Sequence, residues 1–329
     1  MNPVRLTEDE QKVFDGLLSM LPMKATIRKP THIWIIEWLS SGNRRTGEEL
    51  HQWMQERRYD FKSVYCRCST KEKVLAAIER AAAHAEHHGT LPLIHLEAHG
   101  SEGGLFDSKD SNNMLKWDDL SKPLQILNRA TQCNLIVLVA ACKGYAGLQS
   151  FIQAFNDPSL IPVAPALVIS GPIDELTGME LLLGTKEFYR RLADASAEFD
   201  DLIINASRES GNEFRFQRVL FPVLLYEAFL INLIPLYMRS DLKDKKMGQL
   251  RNRFFKENSR ERLSAEEERR LEEAYSPTFQ AELYQKAWDA IFMVDSYPEN
   301  RKRFGLNWLS VIKRILDIQE NNLDKIQTN

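Results

Sequence analysis

Between residues 32 and 193 short apolar runs alternate with amphipathic stretches, and this alternation constrains the fold more than any other feature of the chain. The runs are His32 to Leu39 (HIWIIEWL), Ser63 to Cys68 (SVYCRC), Leu93 to Ala98 (LIHLEA), Asn134 to Ala141 (NLIVLVAA) and Ala166 to Ser170 (ALVIS). Each is short for a helix, so each is expected as a strand. The stretches between them, near residues 47–56, 71–87, 117–130, 145–156 and 177–193, read as helices. Strands joined through helices require right-handed crossovers, which produce a mostly parallel sheet covered on both faces. The expected class is a doubly wound α/β domain, with FRFQRVLF (214–221) as a sixth strand. In such a sheet, chemistry gathers beyond the carboxyl ends of the strands.

Helical patterns flank this region. Thr7 and Glu10 have the spacing of a capping box, and Val13, Phe14, Leu17, Leu18 and Leu21 then repeat at helical intervals as far as Pro22. Beyond Pro222 no further strand runs occur. The segment VLFPVLLYEAFLINLIPLYM (219–238) is long enough to cross a bilayer. Glu227, Asn232, Pro222 and Pro235 suit it poorly to lipid, so a buried helix or a helix–helix interface is expected. Residues 239–262 carry nine Lys/Arg against four Asp/Glu, and 265–273 is acidic, a pattern read as solvated faces with i,i+4 pairs or as a docking surface. Three parts result: an N-terminal helix (1–30), an α/β domain (31–222) and a helical extension (223–329) that is regulatory or partner-binding.

Composition narrows the function classes. With 43% hydrophobic and 27% charged residues the chain is globular rather than disordered. The net charge of −3 provides no global basic excess for nucleic acid. Four cysteines are too few for a disulfide framework, and MNPVRLTEDEQ lacks a secretory pattern, so a reducing cytoplasm is expected. No G-x-S-x-G, nucleotide-binding loop or dinucleotide fingerprint occurs. His84, His87 and His88 cluster on a helix, and Cys66 and Cys68 lie two apart on a strand; both are weak signals for metal.

The strand ends carry the chemistry. The third run leads into Ala98-His99-Gly100-Ser101-Glu102-Gly103-Gly104, and the fourth into Ala141-Cys142-Lys143-Gly144. A His-Gly and a Cys-x-Gly therefore emerge on one rim of the predicted sheet. Cysteine needs thiolate character to act as a nucleophile, and a neighbouring imidazole, a cation such as Lys143 and a following helix N-terminus each promote it. A tight turn at Gly100 would aim its N–H into the site, where it and the N–H of Cys142 could hold an oxyanion.

At these residues the sequence resembles the caspase-like cysteine peptidases, including the bacterial CHAT-type branch. AHGSEGGL is similar to their Ser-His-Gly segment and AACKG to the Gln-Ala-Cys-Arg-Gly pentapeptide, with His99 upstream by close to the about 50 residues usual there. The resemblance covers roughly residues 30–222. It implies a six-stranded caspase-like sheet, Cys142 as nucleophile, His99 as general base and acid, and the amides of Gly100 and Cys142 as oxyanion donors. Asn43-Arg44-Arg45-Thr46-Gly47 resembles the family's Arg-x-Gly turn, which makes Arg45 the counterpart of an arginine that binds an acidic P1 side chain. Thr46 and Glu49 equally fit a plain capping box. Ala140 stands where caspases have Gln and metacaspases have Asp, while Asp174 and Glu175 place carboxylates near the expected pocket, so P1 preference is open. The resemblance further implies a protein substrate, an activating protein partner, a role in signalling or antiviral defence, and no metal or organic cofactor. A caspase-fold scaffold without catalysis is the alternative.

Overall fold

The computed structural model describes residues 5–18, 27–107, 113–147, 163–194, 199–209, 216–258 and 262–327. The chain divides into two compact units: residues 26–221 with 291–300, and residues 1–25, 222–290 and 301–329.

The first unit is built on a mixed, mostly parallel sheet of eight strands. In chain order its elements are β1 (His32–Trp38), α2 (Thr46–Arg57), β2 (Lys62–Arg67), α3 (Lys71–His88), β3 (Pro92–Ser101), β4 (Gly104–Phe106), β5 (Leu115–Lys116), α4 (Trp117–Ala130), β6 (Ile136–Ala140), β7 (Val168–Pro172), α5 (Gly178–Ala193), α6 (Phe199–Glu209) and β8 (Phe216–Leu220); α1 belongs to the second unit. The main sheet runs β2-β1-β3-β6-β7-β8. Its first five strands are mutually parallel and β8 pairs antiparallel with β7. This is the helix-flanked α/β class expected, and it is consistent with a caspase-like fold.

Burial explains why the apolar runs lack alternation. β6 and β7 are buried at every residue, as strands covered on both faces must be, whereas the edge strand β2 is only partly covered. Local signals set the helix ends: Thr70 caps α3 by accepting from the Lys73 N–H, and Gly89 closes it at φ 63°. Thr177 and Glu180 form a capping box on α5.

Three details differ from expectation. The sheet carries an extra hairpin, β4 and β5, antiparallel beside the end of β3; strands of three and two residues are too short to show a period. The helix expected over 145–156 begins as a single 3-10 turn, Gly144–Ala146, and residues 148–162 lie outside the described residues. The C-terminal chain is not one contiguous extension: the Ala164 N–H donates to the Ile291 carbonyl (3.3 Å), and 291–300 belongs to the sheet unit.

The second unit contains α1 (Glu8–Leu18), α7 (Phe221–Met238, whose first residue falls in the sheet unit), α8 (Ser240–Asn258), α9 (Ala265–Ala274), α10 (Pro277–Ile291), the end of α11 (Pro298–Phe304) and α12 (Trp308–Gln327). Helix α1, expected as a separate N-terminal element, groups with the C-terminal helices: Tyr226 Oη donates to the Leu17 carbonyl (3.3 Å), and Glu10 pairs with Arg239 (Nε–Oε1 2.6 Å). The Thr7–Glu10 capping box is formed; Leu21 and Pro22 lie outside the described residues. Tyr226, Phe229, Tyr284, Trp288 and Trp308 pack into an aromatic cluster with ring centroids 4.7–6.5 Å apart. By length and composition α7 could span a membrane, yet 56% of its apolar window is buried inside the structure, as in a core helix. The oppositely charged stretches meet in part: Arg251 on α8 binds Glu268 on α9 (2.7 Å), and α9 holds its own i,i+3 and i,i+4 pairs.

Candidate active site

Four chain segments converge at the carboxyl ends of the parallel strands. Glu97 of β3 pairs with Ala140, the last residue of β6. Two residues further along stand His99, still within β3, and Cys142, in the turn that follows β6. Gly100 sits directly on the segment that leaves β6. A Cβ built there would lie 2.2 Å from the Cys142 carbonyl oxygen and 2.9 Å from the Ala141 Cβ, so only glycine permits this approach. His99 and Cys142 are both partly exposed, and the His99 ring stacks on Phe106 of the hairpin (5.8 Å, 20°).

The segment after β7 wraps the cysteine. Lys143, in the left-handed region at φ 53°, donates its N–H to the Asp174 carbonyl (3.1 Å), and the Cys142 thiol donates to the Leu176 carbonyl (3.4 Å). The same segment then reaches α2, since a Cβ on Gly178 would be in ordinary contact with Thr46 Cγ2 at 3.5 Å. The Asp174 and Glu175 side chains are exposed. Lys143 directs its ammonium to Glu102 (3.3 Å), which partly neutralises the cation expected to favour a thiolate.

On the other flank Asn43 places Nδ2 3.0 Å from His99 Nε2 and 2.8 Å from Ser40 Oγ. Arg45 is the N-cap residue of α2; its guanidinium is partly exposed and pairs with Glu48 at 3.3 Å. The alternative capping box does not form. Glu49 instead receives a two-pronged bond from Arg44 (2.7 and 2.8 Å), and the buried Thr46 hydroxyl donates to Glu97. Ala140, expected among the substrate-binding positions, is 1% exposed within the sheet, where a methyl is too short to reach the rim. Beside this site a cleft of about 500 Å³ opens at the ends of β1 and β2, lined by Ser40, Ser41, Arg67, Ser69, Lys73 and Asp107 among others. A larger cleft, about 650 Å³, lies at the opposite ends of those strands around His32 and His84, away from this chemistry.

Directly beneath the rim lies a polar layer that pattern reading missed. Glu37 of β1 is in register with Glu97 of β3, and both carboxylates are buried. Glu37 accepts from the Gly47 N–H (2.8 Å) and from Tyr65 Oη. Glu97 accepts from Thr46 and lies 2.9 Å from His95 Nε2, whose Nδ1 lies 2.9 Å from the fully buried Tyr189 hydroxyl. With a carboxylate at Nε2, the imidazole donates there and accepts from Tyr189 at Nδ1. Burial, reinforced by repulsion from Glu97, raises the Glu37 pKa despite the hydrogen bonds it accepts from Tyr65 and from the Gly47 and Glu48 amides; burial also raises Tyr65 and Tyr189. The available signal was a charged residue inside each of two apolar runs, HIWIIEWL and LIHLEA.

Among the described residues no group of three or more His, Cys, Asp or Glu converges as a metal site, and all four cysteines are free thiols. His84 is held by Thr90 (3.0 Å) and packs on His88 and His32. Burial raises the Cys68 thiol to about 11, opposite to what a ligating or nucleophilic thiolate needs. No protein-family model matches this chain, and no curated protein matches it either.

Proposed function

We propose that the chain is a cysteine endopeptidase of the caspase-like type. The observation that carries this reading is the seating of Gly100 on the Cys142 carbonyl, which sets the His-Gly end of β3 against the nucleophile at the end of β6. Cys142 transfers its proton to His99 and its sulfur attacks the scissile carbonyl. The oxyanion rests on the amides of Gly100 and Cys142; the Lys143 amide is already committed to Asp174. His99 protonates the departing amine, and water, activated by His99, releases the acyl group from the thioester. Arg45, Asp174 and Glu175 are the candidate P1-reading groups, with Arg45 favouring an acidic side chain and the carboxylates a basic one. A protein substrate, an activating protein partner, a cytoplasmic setting and a role in signalling or antiviral defence complete the reading, and they rest on the sequence resemblance alone.

A fluorescent electrophilic probe and a peptide library together test it. The expected result is labelling of Cys142 that is lost in Cys142→Ala and reduced in His99→Ala, with cleavage at one P1 class. Labelling indifferent to His99, without cleavage under any condition tried, favours the catalytically inactive scaffold.

A further inference from the structure

We infer that the cleft at the amino ends of β1 and β2 is a binding site for a small, ring-bearing anion of the nucleotide class, remote from the rim and independent of the peptidase reading. It encloses about 650 Å³, within the range of small-molecule sites. Two kinds of group line it. Arg58, Lys62, His32 and His84 bring positive charge or the capacity for it, and none of the described residues that line the cleft is an Asp or Glu. Trp34, Met54, Tyr59 and Phe61 bring apolar and aromatic surface, of which Trp34, Met54 and Phe61 are buried.

The charged side has no counter-charge of its own. His32 and Lys62 are register partners on adjacent strands, and the His32 ring lies 5.0 Å from that of His84 on α3, itself 4.7 Å from His88. Asp60, between Tyr59 and Phe61 in sequence, is committed to Lys29 (2.8 Å), and neither Arg58 nor Lys62 has an ion pair among the described residues. Burial, and then the charges of His84, Lys62 and His88, lower the His32 pKa; burial, and then His88 and Lys62, lower that of His84. The imidazoles do not converge as a metal site among the described residues, so a bound anion is the partner that relieves this repulsion. Arg58 is held in the left-handed region at φ 52°, a helix-end conformation that favours glycine, and its side chain still lines the cleft. The ring side carries an unmet donor as well. Trp34 is 7% exposed, and its indole N–H is buried without an acceptor among the described residues, which a ring nitrogen or carbonyl seated against it would supply. An inorganic anion alone would leave the aromatic surface in water, and an uncharged ring would leave the cations unmatched. A phosphate ester of a planar heterocycle uses both.

Titration of the full chain with the common ribonucleoside 5′-monophosphates, followed by calorimetry and by NMR of the histidine ring protons, tests this, with the nucleosides and inorganic phosphate beside them. At least one monophosphate is expected to bind about tenfold more tightly than its nucleoside and than phosphate, and to raise the pKa of both His32 and His84. Replacing both cations, Arg58→Met with Lys62→Met, should weaken that monophosphate about tenfold and leave its nucleoside unchanged. Both side chains are exposed, so the core is left intact. Trp34→Phe keeps a ring but removes the N–H, and should weaken nucleoside and monophosphate alike by about threefold. Should that buried variant fail to fold, the paired methionine variant and the histidine titration still decide. No monophosphate binding tighter than about 1 mM overturns the site. Phosphate bound as tightly as every monophosphate overturns the ligand class, and affinity unchanged in the paired variant overturns the location. Cys142→Ala should bind as wild type does, so failure here leaves the peptidase reading untouched, and loss of that reading leaves this site standing.

Discussion

Two polar layers share strand β3, His99 in one and Glu97 in the other standing one pleat apart, and they treat their ionisable groups in opposite ways. At the rim His99 and Cys142 are partly exposed; His99 meets the Asn43 amide, and the Cys142 thiol donates to the Leu176 carbonyl. Beneath it Glu37, Glu97, His95, Thr46 and Tyr189 are buried, and their bonds close on one another through the Gly47 amide and Tyr65. Groups that must exchange protons need access and spare bonding capacity. Groups that hold a helix to a sheet need neither, and a buried polar network is stable only when it is satisfied. Thr46 and Gly47 open α2, so the lower layer fixes the helix start that carries Arg45 and, three residues before Thr46, Asn43. The comparison predicts that the rim governs activity and the buried layer governs stability.

The largest expected effect is at the rim. Cys142→Ala should abolish peptide cleavage, a loss of at least about 10³-fold, while its unfolding free energy changes by less than about 1 kcal/mol because the thiol is only partly buried. Residual cleavage above a hundredth of wild type would remove the cysteine from the mechanism. Gly100→Ala belongs to both layers. A Cβ 2.2 Å from the Cys142 carbonyl must force β3 and β6 apart, so both cleavage and stability should fall, the latter by about 2 kcal/mol or more. An alanine variant with wild-type melting and labelling would show that the two strand ends are not seated against each other.

The rim was more legible in the sequence than the layer below it. His99-Gly100 and Cys142-Lys143-Gly144 follow apolar runs, and a parallel sheet has only one carboxyl edge, so periodicity sufficed to expect Gly100 near Cys142, as observed. The strand order and the antiparallel β8 depend on long-range pairing, which no local pattern encodes. Thr46 was legible as a helix start but not in its role, because a cap and a buried donor look alike in a TGEE stretch. Asn43 was invisible as a partner of His99, since two helices and one strand separate it in sequence from the strand that carries His99. The hairpin β4–β5 escaped for a different reason: strands of three and two residues are too short to show alternation.

Glu97→Ala sharpens the comparison from below. It leaves His95 Nε2 and the Thr46 hydroxyl buried without their carboxylate, so stability should fall by about 3 kcal/mol in denaturant unfolding. Alkylation of Cys142 in the remaining folded protein should stay within about twofold of wild type if the layers act separately. A drop beyond about tenfold, with the fold intact, would join them into one catalytic network.

The smallest effect is a change of slope. Folded Glu37 holds its proton to higher pH than a glutamate of the unfolded chain, near 4.5, because burial and the neighbouring Glu97 oppose its charge. Between those two pKa values the native state binds more protons than the unfolded state, so this group makes stability fall as pH rises, by at most about 1.4 kcal/mol per pH unit. Above the folded pKa the whole penalty is present; below the unfolded one it vanishes. Glu10 has the opposite sign: Arg239 and the Thr7 amide outweigh its burial and lower its pKa, so its contribution is present above about 4.5 and is lost as acid protonates it. Glu37→Gln keeps an acceptor for the Gly47 amide and a donor for Tyr65 Oη but carries no charge. Relative to wild type it should gain stability steadily as pH rises from 4.5 and stop gaining above the folded pKa of Glu37, with the Glu10 contribution cancelling in the difference. Urea unfolding at half-unit pH steps measures this directly. A difference that is flat with pH would mean that Glu37 is charged in the folded protein at no penalty, and that the lower layer tolerates ionisation as readily as the rim.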